Sequence, residues 1–188
     1  MKAGMIALVV VVLALVMGGC QFVNVRNNLA FEKEDIKGKW SQVDADLQRR
    51  SDLIPNIVET VKGYAKEETT IFTNIANARA AMGGAKSPQE KIEANSQLTS
   101  ALSRLMVVVE NYPNLKANEN FRQLQFELEG TENRILQSRR RYNESVQKYN
   151  TDISLFPANI VASMSGFQRE DAYFKTEPDA RNAPKVQF

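Results

Sequence analysis

The sequence lacks histidine altogether, and its 188 residues include one cysteine and one tryptophan. Histidine is the commonest general base and the commonest metal ligand, so its absence argues against many enzyme classes. The single thiol, Cys20, has no second cysteine with which to form an internal disulfide or a metal centre. Neither charge dominates: 24 basic and 22 acidic residues leave a net charge of +2, which does not indicate nucleic acid or an anionic surface as partner.

After Lys2, the start of the chain has no charged residue. An apolar run extends there from Met5 to Met17. Such a run rises about 20 Å as a helix, which is typical of a signal-peptide core and short for a membrane span. Two glycines then precede Cys20. This pattern resembles the lipobox of bacterial lipoproteins, whose cysteine is linked to diacylglycerol and becomes the new N-terminus, although that pattern prefers Leu where Met17 stands.

The alternative is an uncleaved anchor. A helix continuing from Ile6 to Val23 would rise about 27 Å, enough for a slightly thinned bilayer. We predict that residues 1–19 form a signal or anchor segment and favour lipidation of Cys20. Either alternative ties one end of the chain to a membrane.

The two alternatives predict different sides of the membrane. Lipidation would place the domain outside the inner membrane, and Gln21 after the cysteine resembles the sorting pattern for an outer membrane. An uncleaved anchor, with Lys2 on its short side and Arg26, Lys33 and Lys37 on its long side, would favour an inward-facing domain. We favour the bacterial envelope, with the lipoprotein at the outer face or in the periplasm.

The first half of the remaining chain is predicted to be one long helix. Residues 20–30 are polar and predict a short connector, and a helical domain follows over residues 31–167. One apolar stripe of helical spacing continues from Phe31 to about Met82. Pro55 interrupts the hydrogen-bond ladder, and because the stripe keeps its phase we favour a bend over a turn, with Asp52 placed to cap a restart.

The second half is punctuated by capping signals. Two glycines after Met82 end a helix, and Ser87 with Pro88 and Glu90 forms a capping-box pattern that starts the next, which ends near Asn111. Asn118 is predicted to cap a last long helix, which continues to about Ser154 and is broken at Pro157. One or two more turns are expected over 160–164, ending at Gly166. The tail, 168–188, is predicted to be poorly ordered.

The last long helix carries a seven-residue repeat, the pattern of a helix packed along another helix. Its seam consists of Phe121, Leu124, Leu128, Thr131, Ile135, Ser138, Tyr142, Ser145, Tyr149 and Phe156. No strand pattern is found along the chain, so we predict an all-α protein.

Several short segments resemble the LemA family of bacterial membrane-associated proteins. They are RRSDLIPN at 49–56, VKGYA at 61–65, YPNL at 112–115, TENRI at 131–135, RYN at 141–143, YN at 149–150 and FP at 156–157, in that order along residues 40–167. The resemblance implies a four-helix bundle with an N-terminal membrane anchor, and we expect an antiparallel bundle with a long, kinked first helix. It implies no established active site. The family often has a histidine where Lys66 stands, before Glu67.

Tyrosine and asparagine recur together at a spacing of seven, as Tyr142-Asn143 and Tyr149-Asn150. We interpret them as part of an internal polar network that sets helix register, in which the hydroxyls and amides satisfy one another or the kink at Pro55. The predicted members are Arg50, Asp52, Asn56, Glu67, Glu132, Arg139, Tyr142, Asn143, Tyr149 and Asn150. A pocket for a small molecule is the functional alternative.

Other clusters are weaker candidates. Arg139, Arg140 and Arg141 are consecutive on a helix, so they spread over about 200° of arc and do not converge on one phosphate or lipid headgroup. A di-metal site built on Glu67, Glu68 and Glu132 would require the Glu-x-x-His motif, which a chain without histidine does not contain.

We therefore predict a non-catalytic, membrane-anchored helical scaffold or interaction module, with a protein partner or self-association. We expect no catalytic residue, cofactor, metal or nucleic acid. The alternatives are a peripheral membrane-remodelling or lipid-binding protein and, less favoured, a small-molecule binder.

Overall fold

The computed structural model describes residues 2–174, and these contain six helices and no strand. The helices are α1 (Lys2–Lys62), α2 (Thr69–Gly84), α3 (Pro88–Val109), α4 (Pro113–Ala117), α5 (Glu119–Asp152) and α6 (Ala158–Ser165). The predicted all-α class is confirmed. The antiparallel four-helix bundle stays a prediction.

Helix α1 is continuous through the segment that was predicted to be a polar connector, residues 20–30. Residues 21–30 include neither glycine nor proline, so nothing in the backbone chemistry ends the helix there. Leu29 and Ile36 are buried, so this part of α1 packs into the core of the protein. Of the described helices, α1 alone is long and apolar enough to cross a membrane.

Helix α1 also continues through Pro55, so the chain makes no turn between two helices there, and the bend that we favoured stays a prediction. Proline has no N–H, and it therefore leaves the carbonyl oxygen four residues earlier, that of Ser51, without its helical donor. Arg79 of α2 donates from Nε to this oxygen at 3.2 Å. Asp52 caps no restart: it is exposed, and its carboxylate accepts from Gln48 at 2.8 Å.

The prediction of one helix as far as Met82 is wrong between residues 63 and 68. There α1 ends, and a turn leads to α2. The helix ends where Gly63 follows Lys62, a small residue after a basic last turn, which is a usual termination signal. Ala65 is buried within the turn. The stripe keeps its spacing across this turn, which concealed the break.

The predicted capping signals are confirmed. Glu90 N–H donates to Ser87 Oγ at 3.2 Å, and the Glu90 side chain accepts from the Ser87 N–H, so α3 begins with a complete capping box. Asn118 Oδ1 accepts from Phe121 N–H at 3.0 Å at the start of α5. Gly166 ends α6 in the left-handed conformation, with φ 73°.

The described chain divides into two compact units. The first unit comprises residues 2–39 and 142–171, and its core includes Leu29, Ile36, Tyr142, Val146, Tyr149 and Val161. The second unit comprises residues 40–141 and 172–174, and its core includes Val43, Leu47, Ile54, Ile57, Ile75, Leu98, Leu105, Phe121 and Ile135.

The predicted seam of α5 is buried at most of its positions, from Phe121 to Tyr149. Phe156 is the exception, because α5 ends at Asp152 and the phenyl ring is 79% exposed.

Residues 168–174 of the tail predicted to be poorly ordered belong to no helix, and two of them pack within the second unit. Ala172 and Phe174 are buried, and Phe174 stacks on Trp40 with 6.1 Å between ring centroids. Residues 175–188, the rest of the predicted tail, lie outside the described residues.

Candidate functional site

The second unit encloses a charged side chain, Arg50 of α1, which is 4% exposed. Its Nη1 donates to Asn95 Oδ1 and to Thr99 Oγ1, each at 3.0 Å, and lies 2.9 Å from Glu132 Oε2 of α5. Burial lowers the pKa of Arg50; the negative charge of Glu132 opposes this effect and the positive charge of Arg139 adds to it. The guanidinium thus ties α1 to both α3 and α5.

A cavity of about 350 Å³ opens beside this cluster and is lined by Arg50, Thr99 and Glu132 together with apolar side chains such as Leu128. Arg50 Nε is buried and finds no hydrogen-bond partner among the described residues. Among residues 2–174 the guanidinium is therefore only partly satisfied, because Nη1 has three partners and Nε has none.

In the first unit, Tyr149 and Asn150 of α5 hold the backbone that follows α6. Tyr149 Oη donates to the Gln168 carbonyl at 2.8 Å. Asn150 Nδ2 donates to the Glu170 carbonyl at 2.7 Å, and Asn150 Oδ1 accepts from the Glu170 N–H at 2.9 Å. Burial raises the pKa of Tyr149, with Glu170 and Glu32 adding to the effect. A two-point amide clamp of this kind fixes a chain segment; it supplies no acid or base.

A second charged cluster of the first unit joins α1 to α5. Lys148 forms ion pairs with Glu32 and, at 2.9 Å, with Asp152. The pKa of Glu32 is raised, chiefly because the carboxylate is buried, whereas hydrogen bonding from Lys148 lowers the pKa of Asp152. Hydrogen bonds to Glu32 and, to a smaller extent, to Asp152 raise the pKa of Lys148. These groups line a groove of about 700 Å³ that also includes Asp35.

The other predicted network residues of the second unit are Asp52, Asn56, Glu67 and Arg139. Asp52, Asn56 and Glu67 are exposed, the last of them in the turn between α1 and α2. Arg139 lies over the ring of Phe174 at 4.5 Å, within the second unit. Arg50 pairs with Glu132 in the second unit, and Tyr149 and Asn150 hold backbone in the first unit. The single register-setting network stays a prediction, because the heptad repeat specifies which positions are buried and not which partners they meet.

Tyr142 and Asn143 complete the predicted set; Tyr142 is 1% exposed and Asn143 is half-buried. Neither Tyr142 nor Tyr149 lines the cavities of about 350 and 700 Å³. Cys20 is exposed on α1. Among residues 2–174, no group of three His, Cys, Asp or Glu side chains is arranged to hold a metal.

Sequence reasoning missed Asn95, Thr99, Arg79, Glu32 and Lys148. A signal existed for Asn95, which stands three residues before Leu98 and seven before Leu102, both buried apolar positions of α3. An amide at a heptad position of an apolar stripe indicates a buried polar contact. Glu32 and Lys148 are more than a hundred residues apart in a chain rich in both residue types, so nothing local pairs them.

The chain is similar to a known protein family and to several known proteins. The model of the LemA family matches residues 39–188. The magnetosome protein MamQ 2 of Paramagnetospirillum magneticum is 27% identical over 181 residues, covering 81% of this chain and 65% of that protein. MamQ of Magnetospirillum gryphiswaldense is 26% identical over 171 residues, covering 77% of this chain and 62% of that protein.

The protein LemA of Metamycoplasma hominis is 26% identical over 142 residues, covering 75% of this chain and 65% of its own length. The chain thus spans about 65% of the length of the first of these relatives.

Proposed function

Because the chain belongs to the LemA family, we propose that it is a non-catalytic, membrane-anchored helical scaffold or protein-interaction module of the bacterial envelope. The observation that carries the proposal is the continuity of α1 from Lys2 to Lys62. One helix contains both a stretch suited to a bilayer and core residues of both units. We further propose that the helices pack as an antiparallel four-helix bundle.

The partners of the polar side chains support a structural role. Arg50 donates hydrogen bonds to Asn95 and Thr99 and forms an ion pair with Glu132. Asn150 binds the backbone at Glu170. Groups engaged in this way position helices and chain segments. A general base or nucleophile would instead have to be aimed at a site where a reacting atom could sit.

An interaction module should present apolar side chains to a partner, and the second unit does so. Val107, Phe126 and Leu136 are 68%, 75% and 61% exposed. A photo-crosslinking amino acid in place of Phe126, in intact cells, should give a discrete adduct. The matched control is the same residue in place of the exposed, polar Asn120 on the same helix, which should give none. An adduct of twice the chain mass would indicate self-association, and the absence of adducts at positions 107, 126 and 136 would contradict the proposal.

For the membrane end, we propose that Cys20 is lipidated after removal of residues 1–19, with the uncleaved anchor as the alternative. Mass spectrometry of the mature N-terminus distinguishes them. Processing predicts a chain that starts at Cys20 and carries diacylglycerol, and Cys20→Ser should then retain residues 1–19. A mature chain that keeps residue 2 and an unmodified thiol would establish the uncleaved anchor and place the domain on the opposite side by the charge rule.

The alternative function is lipid binding, and one observation favours it. The first unit has an exposed surface without charge, formed by Leu155, Phe156, Ile160 and Met164. A third candidate function is the binding of a small molecule at the tyrosines. It is less favoured because Tyr142 and Tyr149 are buried and line neither the cavity of about 350 Å³ nor the groove of about 700 Å³.

A further inference from the structure

The first unit has an exposed surface without charge at the end of α5 and along α6. Residues 153–168 include no Asp, Glu, Lys or Arg. We call the surface formed by its four large exposed apolar side chains the apolar corner. It consists of Leu155, Phe156, Ile160 and Met164, which are 56%, 79%, 52% and 73% exposed.

Helix α6 has one buried face and one exposed face, and the residues that it contributes to the apolar corner lie on the exposed face. Val161 and Ala162 are buried and hold α6 to the unit. Ile160 and Met164, one turn apart, lie on a different face and are open. A solvent-facing helix surface normally carries charged residues, and an apolar patch of this kind indicates an interaction site.

The apolar corner lies beside the point where α1 acquires charge. Leu155 and Ala158 line the 700 Å³ groove together with Val25 and Asn28 of α1. No charged residue occurs between Lys2 and Arg26. The uncharged stretch is about 34 Å long as a helix, close to the hydrocarbon thickness of about 30 Å, so the boundary of the bilayer falls near Val25.

Charge changes at the same level on the facing helix. Lys148 of α5 pairs with Glu32 of α1. Leu155, just after α5, lines the same groove as Val25, which precedes Glu32 on α1, so the two helices run in opposite directions in this unit. On α5 the last charged residue is Asp152, immediately before the apolar corner. Both helices therefore pass from charged to uncharged surface at the same end of the unit.

We propose that the apolar corner inserts into the interfacial layer of the membrane that holds α1. The chain then contacts lipid at two places, the N-terminal segment and the corner, and the charged cluster of Glu32, Lys148 and Asp152 stays on the aqueous side. The inference rests on the membrane attachment proposed above. It holds for both forms of attachment, because Cys20 is only about 7.5 Å along α1 from Val25.

The test uses tryptophan as a depth probe in the full chain, reconstituted in phosphatidylcholine and phosphatidylglycerol vesicles. Trp40, the single tryptophan, is first replaced by phenylalanine. Met164→Trp and Ile160→Trp are then made separately, with Val107→Trp as the control, since Val107 is equally apolar and 68% exposed but belongs to the second unit. The side chains replaced by tryptophan are exposed, whereas Trp40 is half-buried and stacks on Phe174, so its replacement by phenylalanine keeps an aromatic ring there. Circular dichroism checks that helix content is unchanged.

Lipid brominated near the headgroup end of its acyl chains should quench Met164→Trp and Ile160→Trp at least about two-fold more than Val107→Trp, because an interfacial helix buries its apolar face only about 5–10 Å deep. Lipid brominated at the chain ends should quench less. Water-like emission without quenching at both corner positions would overturn the inference. So would equal quenching at Val107→Trp, or a blue-shifted but unquenched signal, which would show that a second copy of the chain covers the corner.

Flotation of the same vesicles separates this inference from the proposed function. A chain that does not float with lipid contradicts the membrane anchor itself. A chain that floats while its corner positions stay unquenched contradicts only the insertion of the corner.

Discussion

The side chain of Arg79 on α2 donates from Nε to the carbonyl oxygen of Ser51 on α1, 3.2 Å away. This is the carbonyl that Pro55 leaves without a donor, because proline lacks the N–H that would reach back four residues. Ser51 is buried, so water does not readily replace the lost bond. A side chain from the next helix therefore compensates a proline in the middle of α1.

We predict that Arg79→Met destabilises the protein by about 1 kcal/mol, the net worth of a typical hydrogen bond, with more lost if the carbonyl stays dry. In a Pro55→Ala background the alanine N–H can serve the same oxygen. Arg79→Met should then cost about 1 kcal/mol less. Chemical denaturation of the four proteins measures this coupling, and costs that are equal in the two backgrounds would show that Arg79 contributes by packing alone.

The repeat and capping patterns predicted much of the fold because they are local. Ser87 and Glu90, or Asn118 and Phe121, are three residues apart, so chain connectivity brings the partners together. The heptad repeat of α5 likewise follows from helix geometry alone, and most of its positions are buried up to Tyr149, with Leu124 and Ser145 half-buried.

The partners of the polar residues could not be predicted in the same way. Arg50 reaches Asn95, 45 residues away, and Asn150 binds Glu170 in a segment we expected to be poorly ordered. Such pairs depend on how helices are turned and spaced, which a single sequence does not encode locally. The break at Gly63 was missed for the opposite reason, since the apolar spacing continues across it.

The Arg50 cluster should behave as a coupled unit. We predict that Glu132→Gln destabilises the protein by about 1–2 kcal/mol, less than a fully buried pair because Glu132 is partly exposed and Arg50 keeps Asn95 and Thr99. Arg50→Met fills a similar volume without charge. A double-mutant cycle should give a coupling of about 0.5–3 kcal/mol, and a value near zero would mean that the 2.9 Å contact contributes nothing to stability.

The Asn150 clamp predicts a local effect on the segment after α6. Asn150→Asp keeps the shape but replaces the donor to the Glu170 carbonyl with a carboxylate oxygen, which should cost about 1–3 kcal/mol. Hydrogen exchange at residues 168–171 and tryptic cleavage after Arg169 should both increase. Asn133→Asp, an exposed change on the same helix, is the control. Unchanged exchange at 168–171 would contradict the clamp.

The two carboxylates on Lys148 should give opposite pH dependences of stability. The pKa of Glu32 is raised above its ordinary value of 4.5, so its contribution is present below that value and is lost as the pH rises through the folded pKa. Glu32→Gln removes this loss. The stability of the variant relative to the parent should therefore increase as the pH rises from about 4 to about 7.

The pKa of Asp152 is lowered below its ordinary value of 3.8, so its contribution is present above that value and is lost as the pH falls through the folded pKa. Asp152→Asn removes a favourable contribution, so the stability of the variant relative to the parent should decrease as the pH rises from about 2 to about 5. Denaturant midpoints from about pH 2 to about pH 7 measure both differences. The double variant should show neither trend, and trends of the same sign in the two single variants would contradict the assignment of a buried Glu32 and a stabilised Asp152 to one lysine.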